Sequence, residues 1–201
     1  MRPILLLFSF LIIVACSKDK TNNIYELDAF TKEGVLRAVI EIPAGTNAKI
    51  EYNPSTKIFE QDQINGKDRV IQYLPYPGNY GFIPGTYSDP NQGGDGDALD
   101  ILVLSFSLPT GTVLEVIPIA VFKLLDNGET DYKIIAIPKE QELQTIQTKN
   151  LSSLNSSYPK VQEIIATWFL HYNPKDTSQN LGWGNEKEAV LEIQKALKKS
   201  S

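Results

Sequence analysis

Among 201 residues the chain carries one cysteine, one histidine and one methionine. With Cys16 alone, no intrachain disulfide can form. With His171 alone, no Ser-His pair stands out, and no covalent nucleophile is in evidence. His171 follows an apolar helical stripe and reads as a packing or capping residue rather than a ligand. The chain has no basic run, and its formal net charge is −5. That balance argues against sequence-independent nucleic-acid binding. No stretch is comfortably long enough to span a membrane: the apolar run from Ile4 to Ala15 is too short. There is no internal repeat, and the length suits one domain.

The short apolar run has a pattern of its own. Arg2 precedes it and "IVAC" ends it, as in a secretory signal closing on a bacterial lipobox. The expected organisation is a signal peptide over 1–15, a lipidated Cys16 with a polar tether over 16–30, and a domain over 31–201. This predicts an exported bacterial lipoprotein, held to a membrane through Cys16 on the periplasmic or outer-membrane face. An uncleaved N-terminal anchor is the alternative.

Strand signals fill the first part of the domain. "VLRAVIEI" (35–42) and "KIEYN" (49–53) alternate in part. "ALDILVL" (98–104), "TVLEVIPIAVF" (112–122) and "YKIIAI" (132–137) are apolar and rich in branched residues, with turn formers between them. After Pro138 the period changes. Val161, Ile164, Ile165, Trp168, Phe169 and Tyr172 form one stripe of a helix over about 159–172. Asn185 and Glu188 have capping-box spacing ahead of a second helix. Strands followed by helices predict an α+β fold, mainly β, with a small barrel or sandwich and helices packed outside it.

Two acidic clusters stand out. "GGDGDALD" places Asp95, Asp97 and Asp100 within six positions, among glycines that let the chain bend. "LLDNGETDYK" places Asp126, Glu129 and Asp131 around a "DNG" turn between apolar strands. Carboxylates from two strand–turn units can face one cavity and suit hard divalent cations. Either cluster alone reads as a solvated loop. An EF-hand does not fit, because Asp100 takes the glycine position and Phe106 the final glutamate. Lys49, Lys67, Arg69, Tyr76, Tyr80 and Lys133 add the cations and phenols that a phosphate oxyanion requires, with Glu51 two residues from Lys49.

In chain order, "IEIPAG", "KIE", "GKDR", "YPGNYGFIPGT", "DGDALDILVL", "DNGETDYKIIAIP" and "FLHY" resemble the soluble family I inorganic pyrophosphatases over about 35–172. The resemblance implies an OB-like five-stranded closed barrel with flanking helices. It implies Asp95, Asp100, Asp126 and Asp131 as metal ligands for several Mg²⁺ ions, and Asp97 as general base. Lys49, Arg69, Tyr80 and Tyr172 become phosphate contacts, with Glu41, Glu51, Tyr76 and Lys133 in support. Three positions depart from the family pattern: Ala98 for a proline, Asn127 for an acid and Asn173 for a lysine. Lys175 is either a replacement for that lysine or a surface residue.

The implied activity is metal-dependent hydrolysis of pyrophosphate to two phosphates by a metal-activated water. The alternatives are a lipid-anchored hydrolase of short polyphosphates or nucleotides, and a non-catalytic binding lipoprotein. The partners expected are pyrophosphate and, through Cys16, a membrane, but no nucleic acid. The sequence leaves the oligomeric state open, a homo-oligomer included.

Overall fold

A computed structural model describes residues 23–198. The strands in chain order are β1 (Leu36–Ile42), β2 (Ile50–Asn53), β3 (Ile58–Gln61), β4 (Gln63–Ile64), β5 (Lys67–Asp68), β6 (Asn79–Phe82), β7 (Asp100–Val103), β8 (Val113–Asp126), β9 (Glu129–Thr130), β10 (Lys133–Pro138) and β11 (Ser178–Asn185). The helices are α1 (Leu151–Ser157), α2 (Val161–His171) and α3 (Glu186–Ala196).

Hydrogen bonding links β1 to β6, β6 to β7, β7 to β10 and β10 to β8, and the first residues of β8 return to β1. Five strands thus form a ring, in a mainly β fold with three α-helices. Strand β8 closes the ring because it is long enough to serve two neighbours. Its 113–116 segment pairs with β1, and from Val116 onward it pairs with β10.

Branched apolar residues explain the centre of the sheet. Every residue of β10, "KIIAIP", is buried. Successive side chains point to opposite faces. Ile135 and Ile137 therefore join a core with Trp168 and Phe169 of α2, while Ile134 and Ala136 join one with Ala189 and Ile193 of α3. The tightest approach is at Gly81 of β6, where a Cβ would lie 1.9 Å from the Val39 carbonyl oxygen.

Some elements lie where the sequence carries little signal. Strand β6, "NYGF", contains a glycine and no branched residue, yet all four of its residues are buried. Helix α1, "LSSLNSS", is serine-rich; it starts on an Asn150–Ser153 capping box and buries Leu154. Strand β11 contains two glycines and an irregularity between Asn180 and Trp183. Residues 23–30, expected to be tether, pack onto the domain: Ala29 is buried and Phe30 bridges to Leu36. Residues 1–15 and Cys16 lie outside the described residues.

The α3 start follows the expected capping box. The Asn185 side chain accepts from the N–H groups of Lys187 at 3.0 Å and Glu188 at 3.1 Å. Replacing an Asn cap by alanine typically removes about 1 kcal/mol. Asn185→Ala should therefore lower the denaturant midpoint in chemical unfolding, with no effect on kcat.

Candidate active site

The first aspartate cluster sits on the loop entering β7, where Gly93 and Gly96 take φ of +87° and +88°. Those left-handed turns favour glycine. The loop folds on itself: the Asp97 N–H donates to Asp95 Oδ1 at 3.0 Å. Its backbone is then fixed from outside. The Ser88 N–H donates to the Asp97 carbonyl at 2.7 Å, the Ala98 N–H to the Tyr25 hydroxyl at 2.7 Å, and the Leu99 N–H to Thr86 Oγ1 at 2.9 Å.

Strand pairing brings the second cluster alongside. Parallel β7 and β10 place Lys133 directly beside Asp100. The buried Lys133 ammonium bonds both Asp100 Oδ2 and Asp131 Oδ1. Tyr80 of β6 donates to the same Asp100 oxygen at 2.6 Å. Asp126 ends β8 beside the Asn127–Gly128 turn, both residues at positive φ, as the "DNG" motif predicts. Its Oδ1 accepts from the Ser178 hydroxyl at 2.6 Å.

The remaining groups come from β1, the β2 region and the end of α2. A register shift between Ile40 and Ile42 leaves Glu41 as the unpaired residue of β1. Its Oε1 accepts the Tyr52 N–H at 2.7 Å. Lys49 pairs with Glu51 at 3.1 Å and lies 5.6 Å from the Tyr80 ring centroid. Arg69 follows β5 and pairs with Asp62 at 3.0 Å. Tyr172 caps α2 and stacks on Trp168, with ring planes 2° apart.

These groups line one cavity of about 370 Å³. Of the thirteen site residues expected within the described part of the chain, twelve line it: Glu41, Lys49, Glu51, Arg69, Tyr80, Asp95, Asp97, Asp100, Asp126, Asp131, Lys133 and Tyr172. Tyr76 is the exception. It is buried behind the wall, packed between Tyr80 and Trp168. Lys175 is exposed and does not line the cavity; its neighbour Asp176 does, bonded by the Asn173 amide at 2.6 Å. Tyr25, Glu129 and Asp176 are lining residues without assigned roles in the sequence pattern. Thr86 is fully buried and holds the aspartate loop through Leu99.

The field inside is strongly negative: nine carboxylates line the cavity against three cations. Burial pushes Glu41 up to about 8, against the Tyr52 N–H and Lys49. Burial, then Asp95 and Asp100, push Asp97 above the usual carboxylate range. Burial acts on Asp100 in the same direction, but Lys133 and the Tyr80 hydroxyl outweigh it and hold Asp100 low. Asp131 shares Lys133 but lacks the tyrosine and faces the charge on Asp100, so burial raises it. Burial opposes the charges on Lys49 and Lys133, yet Tyr76, Glu51 and Asp100 raise Lys49, and Asp100 and Asp131 raise Lys133. Burial also raises Tyr80 and Tyr172, leaving neutral phenols that donate.

Among the described residues no three Asp, Glu, His or Cys side chains are gathered on a single point that would hold an ion. The carboxylates are arrayed around the cavity, with Lys133 between Asp100 and Asp131. The donor set is nonetheless all oxygen and in large excess over the cations, which fits hard divalent metal ions.

Comparison with known proteins identifies the family. The family model described as inorganic pyrophosphatase matches residues 38–201. An inorganic pyrophosphatase of Sulfolobus acidocaldarius is 33% identical over 171 residues, covering 83% of this chain and 92% of its own. One from Saccharolobus solfataricus is 35% identical over 168 residues, covering 82% and 91%. The crystal structure of inorganic pyrophosphatase from Thermus thermophilus superposes with a TM-score of 0.72 at 29% identity, covering 87% of this chain and 97% of that one.

These matches correct one expectation. The exported, membrane-anchored lipoprotein inferred from "IVAC" is not sustained. The proteins that match over most of their length are named simply as inorganic pyrophosphatases, and the family match begins at residue 38, beyond the segment that suggested export. No helix among the described residues is long and apolar enough to cross a membrane. By the extent of the family match and the identity shared along the domain, the chain belongs to the inorganic pyrophosphatase family.

Proposed function

We propose a division of labour in this cavity for the family's reaction. The chain is an inorganic diphosphatase: it hydrolyses pyrophosphate to two phosphates. The observation that carries the assignment of roles is the charge imbalance of the lining, nine carboxylates to three cations. Pyrophosphate is an anion, and this cavity alone repels it.

Asp95, Asp100, Asp126 and Asp131 are the groups that would hold divalent ions, Mg²⁺ foremost and more than one per site. Such ions, when bound, reverse the local field and lower the pKa of a coordinated water from about 15.7 towards about 7. Every other role falls to side chains. Asp97 keeps a solvent-exposed carboxylate with a raised affinity for a proton, as a general base requires. Its carboxylate orients the attacking water and accepts its proton. Lys49 and Arg69 bind phosphate oxygens, the neutral Tyr172 hydroxyl donates to them, and Tyr80 joins these contacts by turning its single O–H from Asp100 to the phosphate. Glu51 fixes Lys49, and Glu41 anchors strand β2 of the β2–β3 hairpin through the Tyr52 N–H. Lys133 binds Asp100 and Asp131 together from below. The strands around the cavity form the OB-like framework of this family.

Phosphate release from pyrophosphate, tripolyphosphate and ATP tests the reading. Pyrophosphate should be turned over fastest, with Mg²⁺ present, and exhaustive EDTA treatment should stop it. Faster release from ATP or tripolyphosphate would reassign the substrate, and activity surviving EDTA would remove the metal-binding role of the aspartates.

A further inference from the structure

The peptide joining Asp97 to Ala98 has an unusual partner. Ala98 is 4% exposed, so its N–H is out of reach of bulk water. A buried donor left unpaired is strongly unfavourable. The acceptor is the hydroxyl of Tyr25, at 2.7 Å and 73 residues away in the chain. Tyr25 lies ahead of residues 38–201, where the family match falls.

We propose that Tyr25 is a positioning residue for Asp97, its phenolic oxygen fixing the Ala98 N–H and with it the peptide from which the Asp97 carboxylate projects. This rests on Asp97 being the general base. Tyr25 is well placed to act as a clamp because it is itself held on every side. Its ring lies 5.0 Å from Phe82 and 6.3 Å from Tyr52, centroid to centroid, stacked on the latter. The Lys198 ammonium sits 4.6 Å over the ring. Its carbonyl accepts the Gly85 N–H at 3.2 Å, and its own N–H donates to Asn23 Oδ1 at 3.2 Å. The Lys198 N–H in turn donates to the Gly85 carbonyl at 3.0 Å, so both ends of the described chain meet at Gly85. Burial pushes the Tyr25 phenol up to about 12, which keeps its oxygen a neutral acceptor at neutral pH.

The Asp97 carbonyl is bonded separately by Ser88, so the peptide is fixed at both of its polar groups. Loss of the Tyr25 bond frees one side only. The loop should remain folded while the carboxylate loses its aim, and misplacement of a catalytic group lowers turnover more than binding.

Tyr25→Phe tests this, because it deletes the hydroxyl and keeps the ring contacts. The expected result is a loss of about tenfold in kcat. KM for magnesium pyrophosphate should stay within about twofold of the parent, with the chain still folding cooperatively and its thermal midpoint lowered by no more than about 10 °C for the unpaired Ala98 N–H. Ala98→Pro removes the N–H, and in that background Tyr25→Phe should change kcat by less than about twofold. An equal loss in both backgrounds, or a change confined to KM, would mean that the hydroxyl acts on substrate directly and would overturn the proposal. So would an unchanged kcat in Tyr25→Phe alone, which decides the matter if the Ala98→Pro chain does not fold. Asp97→Asn measured alongside separates the two ideas. Full activity there removes the base assignment, whereas a crippled Asp97→Asn with a fully active Tyr25→Phe removes only the clamp.

Discussion

Asp97→Asn is expected to reduce kcat by about 10²–10⁴-fold, the usual loss for a missing general base. The amide is nearly the same size as the carboxylate and can still orient a water, but it cannot take the proton. The fold of the loop should survive, because the bonds that shape it use the Asp97 backbone: its N–H reaches Asp95, and its carbonyl accepts from Ser88. Divalent-ion titration of activity should therefore keep its midpoint. Asp100→Asn should behave differently. Asp100 is bonded by both Lys133 and Tyr80, and it faces the cavity as one of four candidate ligands. Its loss should move the metal titration to higher concentration as well as lower the rate. Steady-state kinetics across a Mg²⁺ series distinguish the two. Identical titrations and identical residual rates in both variants would dissolve the distinction between base and ligand.

How far the site was legible depended on the range over which each feature is encoded. The two aspartate clusters could be read directly, because each is local and each is framed by glycines that permit its turn. The apolar run of β10 and the Asn185 capping box were legible for the same reason. What local pattern does not encode is convergence. Nothing in "DALDIL" or "TDYKII" states that β7 and β10 run parallel with Asp100 beside Lys133, and the ordered match to a family supplied the roles that spacing alone left open. Strand β6 was hidden because its identity comes from burial between β1 and β7 rather than from strand propensity. Tyr25 was hidden because the polar residues before it read as tether. Its hydroxyl matters only through a contact 73 residues distant. Lys175, which the sequence left open between a substitute for the missing lysine and a surface residue, stands outside: the turn after α2 brings its neighbour Asp176 to the cavity and leaves the lysine exposed.

The buried cation yields the largest expected change in stability. Lys133 is 3% exposed and binds two carboxylates that are themselves largely enclosed. A buried pair need add little net stability over an apolar alternative, but removing one partner leaves an uncompensated charge, at about 3–5 kcal/mol. Lys133→Met keeps an unbranched side chain of similar length and removes only the ammonium. In EDTA at pH 8 the variant should unfold at a much lower denaturant concentration than the parent. The pH dependence has a defined sign. Without the lysine, both Asp100 and Asp131 have folded-state pKa values raised by burial and by each other, above the unfolded carboxylate value of about 3.9. Groups of that kind leave stability intact below the unfolded pKa and lose it as pH rises through the folded pKa. The gap between variant and parent should therefore be small near pH 4 and widen towards pH 8. Divalent cations should narrow it again, because an ion held by the same carboxylates restores the counter-charge, and ligand binding to the native state raises stability by mass action. Lys139→Met, which breaks an exposed 2.6 Å pair with Glu115, is the control and should leave the midpoint nearly unchanged. If Lys133→Met matched the parent in EDTA at pH 8, or if its deficit were the same at pH 4 as at pH 8, the unpaired carboxylates would not be the cause and the role given to Lys133 would have to be withdrawn.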